Sequence, residues 1–193
     1  MTPYDTIKFS GAKKTYEAMD ASAVVDLGQM GGNEKYAVDI TAGAHGFLAG
    51  PTADDFNCVY ILGTTYYDGL RRIHSVPDAN SIYVYADYTA ETLATGDTLR
   101  TAYVSSLPYE FLGFNLHLNT ACATAENLTI SLDSAKGSSF DVMLYIKAMN
   151  TVKDIHYMLP EPYPVDANDV VDLTWANANS RIWTIKFFVR SRV

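Results

Sequence analysis

Residues 181–190, close to the C-terminus, alternate apolar and polar side chains along their whole length. The apolar positions are Trp183, Ile185, Phe187 and Val189, and the positions between them are Thr184, Lys186, Phe188 and Arg190. A period of two residues is that of a β-strand with one face against a core. We therefore expect a strand here that closes a sheet of the C-terminal half, and an all-β fold for the chain.

The first half of the chain contains short apolar segments separated by turn signals. The predicted strands are residues 36–40, 58–63, 70–76, 81–86 and 99–104. Tyr67-Asp68-Gly69 and Pro77-Asp78-Ala79-Asn80 have the composition of turns between them. Short strands at a spacing of about ten residues are typical of a small β-barrel or sandwich. We predict such a domain over residues 36–107.

The second half alternates more regularly and predicts six strands. The inward positions are Leu112, Phe114, Leu116 and Leu118, then Leu128, Ile130 and Leu132, then Phe140, Val142, Leu144 and Ile146, then Val171, Leu173 and Trp175. Residues 152–158 and the last strand complete the set. We predict a β-sandwich of jelly-roll or immunoglobulin-like type over residues 108–193. Pro160, Pro162 and Pro164 predict a rigid extended crossing between its sheets, because proline cannot donate to a ladder.

Residues 1–35 have the least regular pattern. Small residues frame them, and residues 14–23 are compatible with one or two helical turns. We therefore expect an N-terminal arm that reaches a neighbouring molecule while the rest of the chain folds without it.

Composition favours a globular β protein that binds no nucleic acid. Apolar residues make up 48% of the chain, with 14 Tyr and 8 Phe. The net charge of -8 disfavours phosphate contacts, which need clustered Lys and Arg. Cys58 and Cys122 lie far apart and predict buried free thiols. We expect neither an export signal nor a membrane span, since residues 1–6 lack a basic start and no apolar run approaches the required length.

No residue pattern identifies a reaction or a cofactor. The histidines are scattered singly at His45, His74, His117 and His156, so we expect no metal site. His117 falls on the polar face of its strand, where it is either solvated or in contact with a partner. Asp166 and Asp169, on either side of Asn168 just before a strand, predict turn capping more than catalysis, and the many other carboxylates single out no catalytic pair. We predict a protein that is not an enzyme and that needs no cofactor.

Tyrosines crowd the first half of the chain. Tyr83 and Tyr85 alternate with Ile82 and Val84, which places their rings on the face away from a core. Such rings suit a protein interface or a platform for sugars, and the alternative is that both faces of the strand are buried. The candidate interface residues are Tyr83, Tyr85, Tyr66, Tyr67, His117 and Phe188.

Two segments resemble modules of virion proteins from tailed bacteriophages. The first comprises residues 44–47, 63–70, 76–79 and 82–91, in which a strand ending in Gly63-Thr64 leads to the turn Tyr67-Asp68-Gly69. The second is residues 172–178, followed by a strand that contains Trp183, which is similar to the end of β-sandwich domains in that class.

The resemblance implies a structural virion protein, of the capsid decoration or cement type. It implies a symmetric oligomer, often a trimer, that contacts the major capsid protein or other virion proteins and is made in the host cytoplasm. A tail, collar or baseplate component is the alternative within the virion. A carbohydrate-binding sandwich module and a small hydrolase using Asp169 or Asp172 are alternatives from other classes.

Overall fold

A computed structural model describes residues 5–11, 15–30, 35–48 and 57–192. Within these ranges the regular elements are fourteen strands and one short 3-10 helix at Ser138–Phe140, which confirms the predicted all-β class. The strands are β1 (Asp5–Gly11), β2 (Tyr16–Ala18), β3 (Val25–Met30), β4 (Lys35–Thr41), β5 (Cys58–Leu62), β6 (Gly69–Ser75), β7 (Ser81–Tyr85), β8 (Thr98–Val104), β9 (Tyr109–Leu118), β10 (Asn127–Asp133), β11 (Val142–Ala148), β12 (Asp154–Val165), β13 (Val170–Thr174) and β14 (Trp183–Ser191).

Two antiparallel sheets pack as a sandwich, as predicted. The smaller sheet has the order β1-β14-β9-β12, and the larger runs β11-β10-β13-β8-β5-β6-β7-β4-β3, with β2 also paired to β8. Strands of both sheets contribute to one buried cluster, for example Phe114 and Phe187 from the smaller and Ile130 and Leu173 from the larger. Burial of these apolar faces is the main favourable term for a fold of this kind.

The closing strand occupies the interior of its sheet. β14 is paired with β1 on one side and β9 on the other. Its Phe187 is fully buried, with ring centroids 5.5 Å from Phe9 and 5.6 Å from Phe111. The predicted inward positions are therefore correct, and β1, which forms the edge, is the strand of this sheet that sequence reasoning missed.

The predicted irregular arm is wrong for the part of it that the structure describes. β1 lies in register with β14 from Asp5 opposite Val189 to Gly11 opposite Trp183, and its Phe9 is fully buried. The predicted helical turns are replaced by β2. Residues 1–4, 12–14 and 31–34 lie outside the described ranges. Because β1 contributes to the core, we no longer expect a chain that lacks residues 1–30 to fold normally.

The two halves of the chain share the larger sheet. β8, from the first half, pairs with β13, from the second, over residues 101–104 and 170–173. The first-half strands form an open row that ends at β3, so in this order they do not close into a separate barrel. The division into domains at 36–107 and 108–193 stays a prediction.

A β-bulge changes which side chains of β11 face the core. Tyr145 lies opposite Ile130, whereas Met143 lies opposite Ser131, so Leu144 is an extra residue on this strand. An extra residue shifts the inward and outward positions beyond it by one. Tyr145 therefore points into the core and Ile146 points out, which corrects the predicted inward position of Ile146.

The predicted proline crossing lies within a strand. Pro160, Pro162 and Pro164 belong to β12, whose pairing with β9 shifts between Met158 and Tyr163. β12 is the last strand of its sheet, so a residue without an N–H can sit there without breaking a ladder on its free side.

Candidate functional site

The most exposed apolar surface that the structure describes lies on β11 and the residues before it. We call this the β11 surface and define it as Phe140, Val142, Met143 and Ile146, which are 59%, 39%, 60% and 51% exposed. β11 pairs with β10 on one side and ends the larger sheet on the other. Exposed apolar residues along a free strand edge are a typical site of contact with another chain.

The inner side of β11 is firmly packed. The Tyr145 ring lies 5.0 Å from the Phe114 ring and 4.5 Å from the Tyr157 ring, both in the opposite sheet. Asp141, just before the strand, accepts a hydrogen bond from the Ser134 amide at 2.9 Å. The strand is thus held from within, and its outer face and free edge remain available to a partner.

The predicted tyrosine surface is half-buried and partly occupied by the chain itself. Tyr83 and Tyr85 lie on the outer face of β7, while Ile82 and Val84 are fully buried, as predicted. The Arg72 guanidinium lies 5.4 Å from the centre of the Tyr85 ring, and the His74 ring packs edge-on at 5.2 Å. This cation–π contact uses ring surface that a sugar or a partner would otherwise need.

Two neighbouring tyrosines have opposite environments. Tyr66 is 56% exposed, and its amide donates to the Glu91 carboxylate at 3.0 Å. Tyr67 is buried, and its hydroxyl donates to the Thr89 carbonyl at 2.6 Å and accepts from the Thr89 amide at 2.8 Å. Tyr67 therefore anchors the loop before β6, and its predicted place on an exposed interface is wrong.

Phe188 is buried as well, although it lies on the outer face of β14. The register sets it opposite Gly113, which has no side chain. A large ring can pack over a glycine in the neighbouring strand and lose its exposure to water. Its predicted role as an exposed interface residue is therefore corrected.

A polar cleft crosses the outer face of the smaller sheet. It encloses about 300 Å³, and we define the histidine cleft by its polar lining: Asn115, His117, Asp154, His156, Thr184 and Lys186. These residues come from β9, β12 and β14, three adjacent strands in which His117 is opposite both Asp154 and Thr184. The cleft brings the predicted residue His117 together with groups that are distant in sequence.

Hydrogen bonds fix both imidazoles of the histidine cleft. His117 Nδ1 lies 2.5 Å from Asp154 Oδ1, and His156 Nδ1 bonds to Asn115 Oδ1. A carboxylate or an amide oxygen can only accept, so Nδ1 of each ring carries the proton. In the neutral rings Nε2 is then a hydrogen-bond acceptor. Together with the Lys186 ammonium, these groups suit a polar ligand with several hydroxyl groups.

The carboxylates considered for a hydrolase are bonded to other residues of the chain. Asp169 accepts hydrogen bonds from Ser134 Oγ at 3.2 Å and from the Ala135 amide at 2.9 Å. Asp166 lies 2.5 Å from Lys136 Nζ, and this bond and charge lower the pKa of Asp166. Asp169 therefore holds the turn after β10, a tertiary contact where a local cap was expected, while Asp166 forms an exposed ion pair with the same turn.

Asp172 lies on the outer face of β13 with little exposure to water. Burial raises the pKa of this carboxyl, and the Arg100 guanidinium, 3.4 Å away, acts in the opposite direction. Cys58 and Cys122 are free thiols, as predicted; Cys122 is buried, whereas Cys58 is only partly buried. Burial raises the pKa of Cys58 to about 11.

The described ranges contain no cluster of three or more His, Cys, Asp or Glu side chains arranged to hold a metal ion. Over the same ranges, no helix is long and apolar enough to cross a bilayer. Comparison with protein-family models, curated sequences and solved structures finds no match to this chain.

Proposed function

We propose that this chain is a non-enzymatic structural protein of a tailed-phage virion, a capsid decoration or cement protein that stabilises the shell by repeated protein–protein contacts. Its partners would be the major capsid protein and neighbouring copies of itself, in a symmetric oligomer such as a trimer. The resemblance of residues 63–70 and 172–178 to virion modules supports the class of protein. The β11 surface supports a function based on contact.

The observation that carries the proposal is the exposure of Met143 and Ile146 on the outer face of β11, at 60% and 51%. Full burial of such a side chain is worth about 1.5–3 kcal/mol, so covering the exposed half of each contributes on the order of 1 kcal/mol. One contact of this size is weak, but contacts repeated over a shell gain strength from multivalency. A rigid sandwich with such a surface is suited to that use.

Cosedimentation with purified shells assembled without this chain tests the proposal. We expect wild type to bind the shells, and the double variant Met143→Lys, Ile146→Lys to lose binding while it folds normally, because both positions are exposed. Thr95→Lys, in the exposed turn before β8, is the control, because it also adds a positive charge but lies outside the β11 surface. Failure of wild type to bind, or equal binding by the double variant, would overturn the proposal.

The histidine cleft favours a second candidate, a carbohydrate-binding module. Its amide, imidazole, carboxylate and ammonium groups are those that bind sugar hydroxyls, and its volume of about 300 Å³ is at the lower end for a ligand site. A glycan array tests this candidate, with Asn115→Ala and Asp154→Ala expected to lose any signal. An array without hits for wild type would rule against it.

A further inference from the structure

The free ends of the two sheets differ in how they are protected. β12 carries Pro160, Pro162 and Pro164, which cannot donate to an added strand. The outer edge of β1 is covered by the chain itself, through a bridge from Gly11 to Phe47 and a bond from the Leu48 amide to the Ser10 carbonyl at 3.0 Å.

The edge at β3 is interrupted. Its pairing with β4 shifts between Asp26 and Gln29, and Gly28 has a positive φ of 67°. A glycine in the left-handed region inside this short strand distorts the edge that an incoming strand would have to follow. Of the sheet ends that the structure describes, β11 is the one with no proline, no covering segment and no such glycine, since its own bulge at Leu144 contains none. Its sequence from Val142 to Ile146 is entirely apolar or aromatic.

The charges that flank this apolar segment identify its partner. Asp141 precedes it and Lys147 follows it, and both are exposed. If a second copy of β11 lies antiparallel beside the first, the end with Asp141 in each copy is next to the end with Lys147 in the other. With Met143 opposite Ile146, Asp141 of each copy lies one position from Lys147 of the other, close enough for attraction between opposite charges, whereas a parallel arrangement would place like charges together.

The faces of the strand agree with this arrangement. The bulge at Leu144 places Met143 and Ile146 on the same outer face, opposite Ser131 and Thr129. Residues that face each other in an antiparallel pair share a face of the sheet. Met143 of one copy can therefore lie beside Ile146 of the other, twice across a two-fold axis, which buries the most exposed side chains of the strand.

We propose that two copies of this chain associate through an antiparallel pairing of β11 with β11, which joins their larger sheets into one. The contact is isologous, as a two-fold interface requires. This inference deepens the proposed function, because it assigns the β11 surface to contact between neighbouring copies of the chain. Met143 and Ile146 cannot contact a second copy and a shell protein at the same time, so pairing in solution and binding to shells compete for them. The mass in solution tests the pairing and cosedimentation tests shell binding, so failure of one is distinguishable from failure of the other.

Light scattering or sedimentation equilibrium of Lys147→Asp and Asp141→Lys tests the pairing. In each single variant the junction carries like charges, and we expect the dissociation constant to rise at least about tenfold, with half the wild-type mass at equal concentration. Lys147→Arg keeps the charge and should keep the wild-type mass.

The decisive sample is an equimolar mixture of Lys147→Asp and Asp141→Lys. Each chain then offers the charges that the other needs, so the mixture should recover the wild-type mass. Recovery also shows that neither variant is misfolded, which matters because Asp141 bonds to the Ser134 amide. The pairing is refuted if the single variants keep the wild-type mass or if the mixture keeps the mass of its components.

Discussion

β14 and β11 have similar sequences and opposite environments. Both combine apolar and aromatic residues with a lysine and are predicted as half-buried strands, but β14 lies between two strands and β11 has one neighbour. Phe187 in β14 is fully buried, whereas Ile146 in β11 is 51% exposed. The difference shows that the position of a strand within the sheet, together with its bulges, decides whether an apolar side chain stabilises the fold or remains available to a partner.

The largest expected effect is a difference in the free energy of unfolding between a truncated side chain in β14 and one in β11. Phe187→Ala should lower the free energy of unfolding by about 3–5 kcal/mol, because it leaves a cavity between Phe9 and Phe111. Ile146→Ala should change it by less than about 0.5 kcal/mol, since that side chain is exposed. Urea unfolding of both variants measures the contrast, and similar losses would mean that β11 belongs to the core after all.

A smaller effect is expected at Gly113 on β9, the other neighbour of β14, next to the point where the pairing of β9 with both adjacent strands shifts. Gly113 has a φ of 145°, and an added Cβ would overlap the Tyr157 carbonyl oxygen and come within 2.8 Å of Met158 Cα. Gly113→Ala should therefore cost about 1–3 kcal/mol, from backbone strain and from displacement of β12. Gly96→Ala, where an added Cβ meets nothing within 4 Å, is the control. Equal melting temperatures of the two variants would contradict the register of β12.

Stability should also depend on pH, because a carboxyl on the outer face of an interior strand such as β13 has little contact with water. Burial raises the pKa of Asp172 on β13, with Arg100 opposing it. The native state then holds this proton more tightly than the unfolded state, so the charged carboxyl costs stability, and the cost disappears as pH falls through the folded-state pKa.

Asp172→Asn should therefore gain stability relative to wild type as the pH rises from about 3 to about 7. Asp87→Asn, in the exposed segment after β7, should show no such gain. Unfolding curves over this pH range check the sign, and a relative loss for Asp172→Asn at the higher pH would show that its pairing with Arg100 outweighs burial.

The smallest effect is the reactivity of a thiol on an interior strand. Burial raises the pKa of Cys58 on β5 to about 11, so the thiolate that attacks an alkylating reagent is scarce near neutral pH. Peptide mass spectrometry should find Cys58 slowly modified by iodoacetamide in the native chain and rapidly modified in urea. Rapid modification of the native chain would place Cys58 at a more open position.

Local periodicity was sufficient to predict β7 and β10, where Ile82, Val84 and Ile130 are buried as expected. β1 carried the same signal, since Ile7 and Phe9 alternate with Lys8 and Ser10, and a period count would have found it. The reversal within β11 could not be predicted in this way, because no glycine or proline marks the bulge at Leu144.

The histidine cleft could be predicted only in part. Sequence alternation placed His117 on a polar face, but its partner Asp154 lies 37 residues away on β12. Their contact depends on the register between two strands, which long-range packing decides and no local pattern records. The same reason explains why Tyr67 was predicted to be exposed, since its hydroxyl is held by the Thr89 backbone, 22 residues away.

The most direct test of the contact function is amide hydrogen exchange of peptides from β14 and β11, in the dilute chain and in the chain bound to shells. Amides in a strand paired on both sides exchange through global unfolding, whereas a free edge exchanges locally. We predict slow exchange of β14 in both samples, and fast exchange of β11 that becomes slow on the shell. Exchange of β11 that is unchanged by binding would contradict the account.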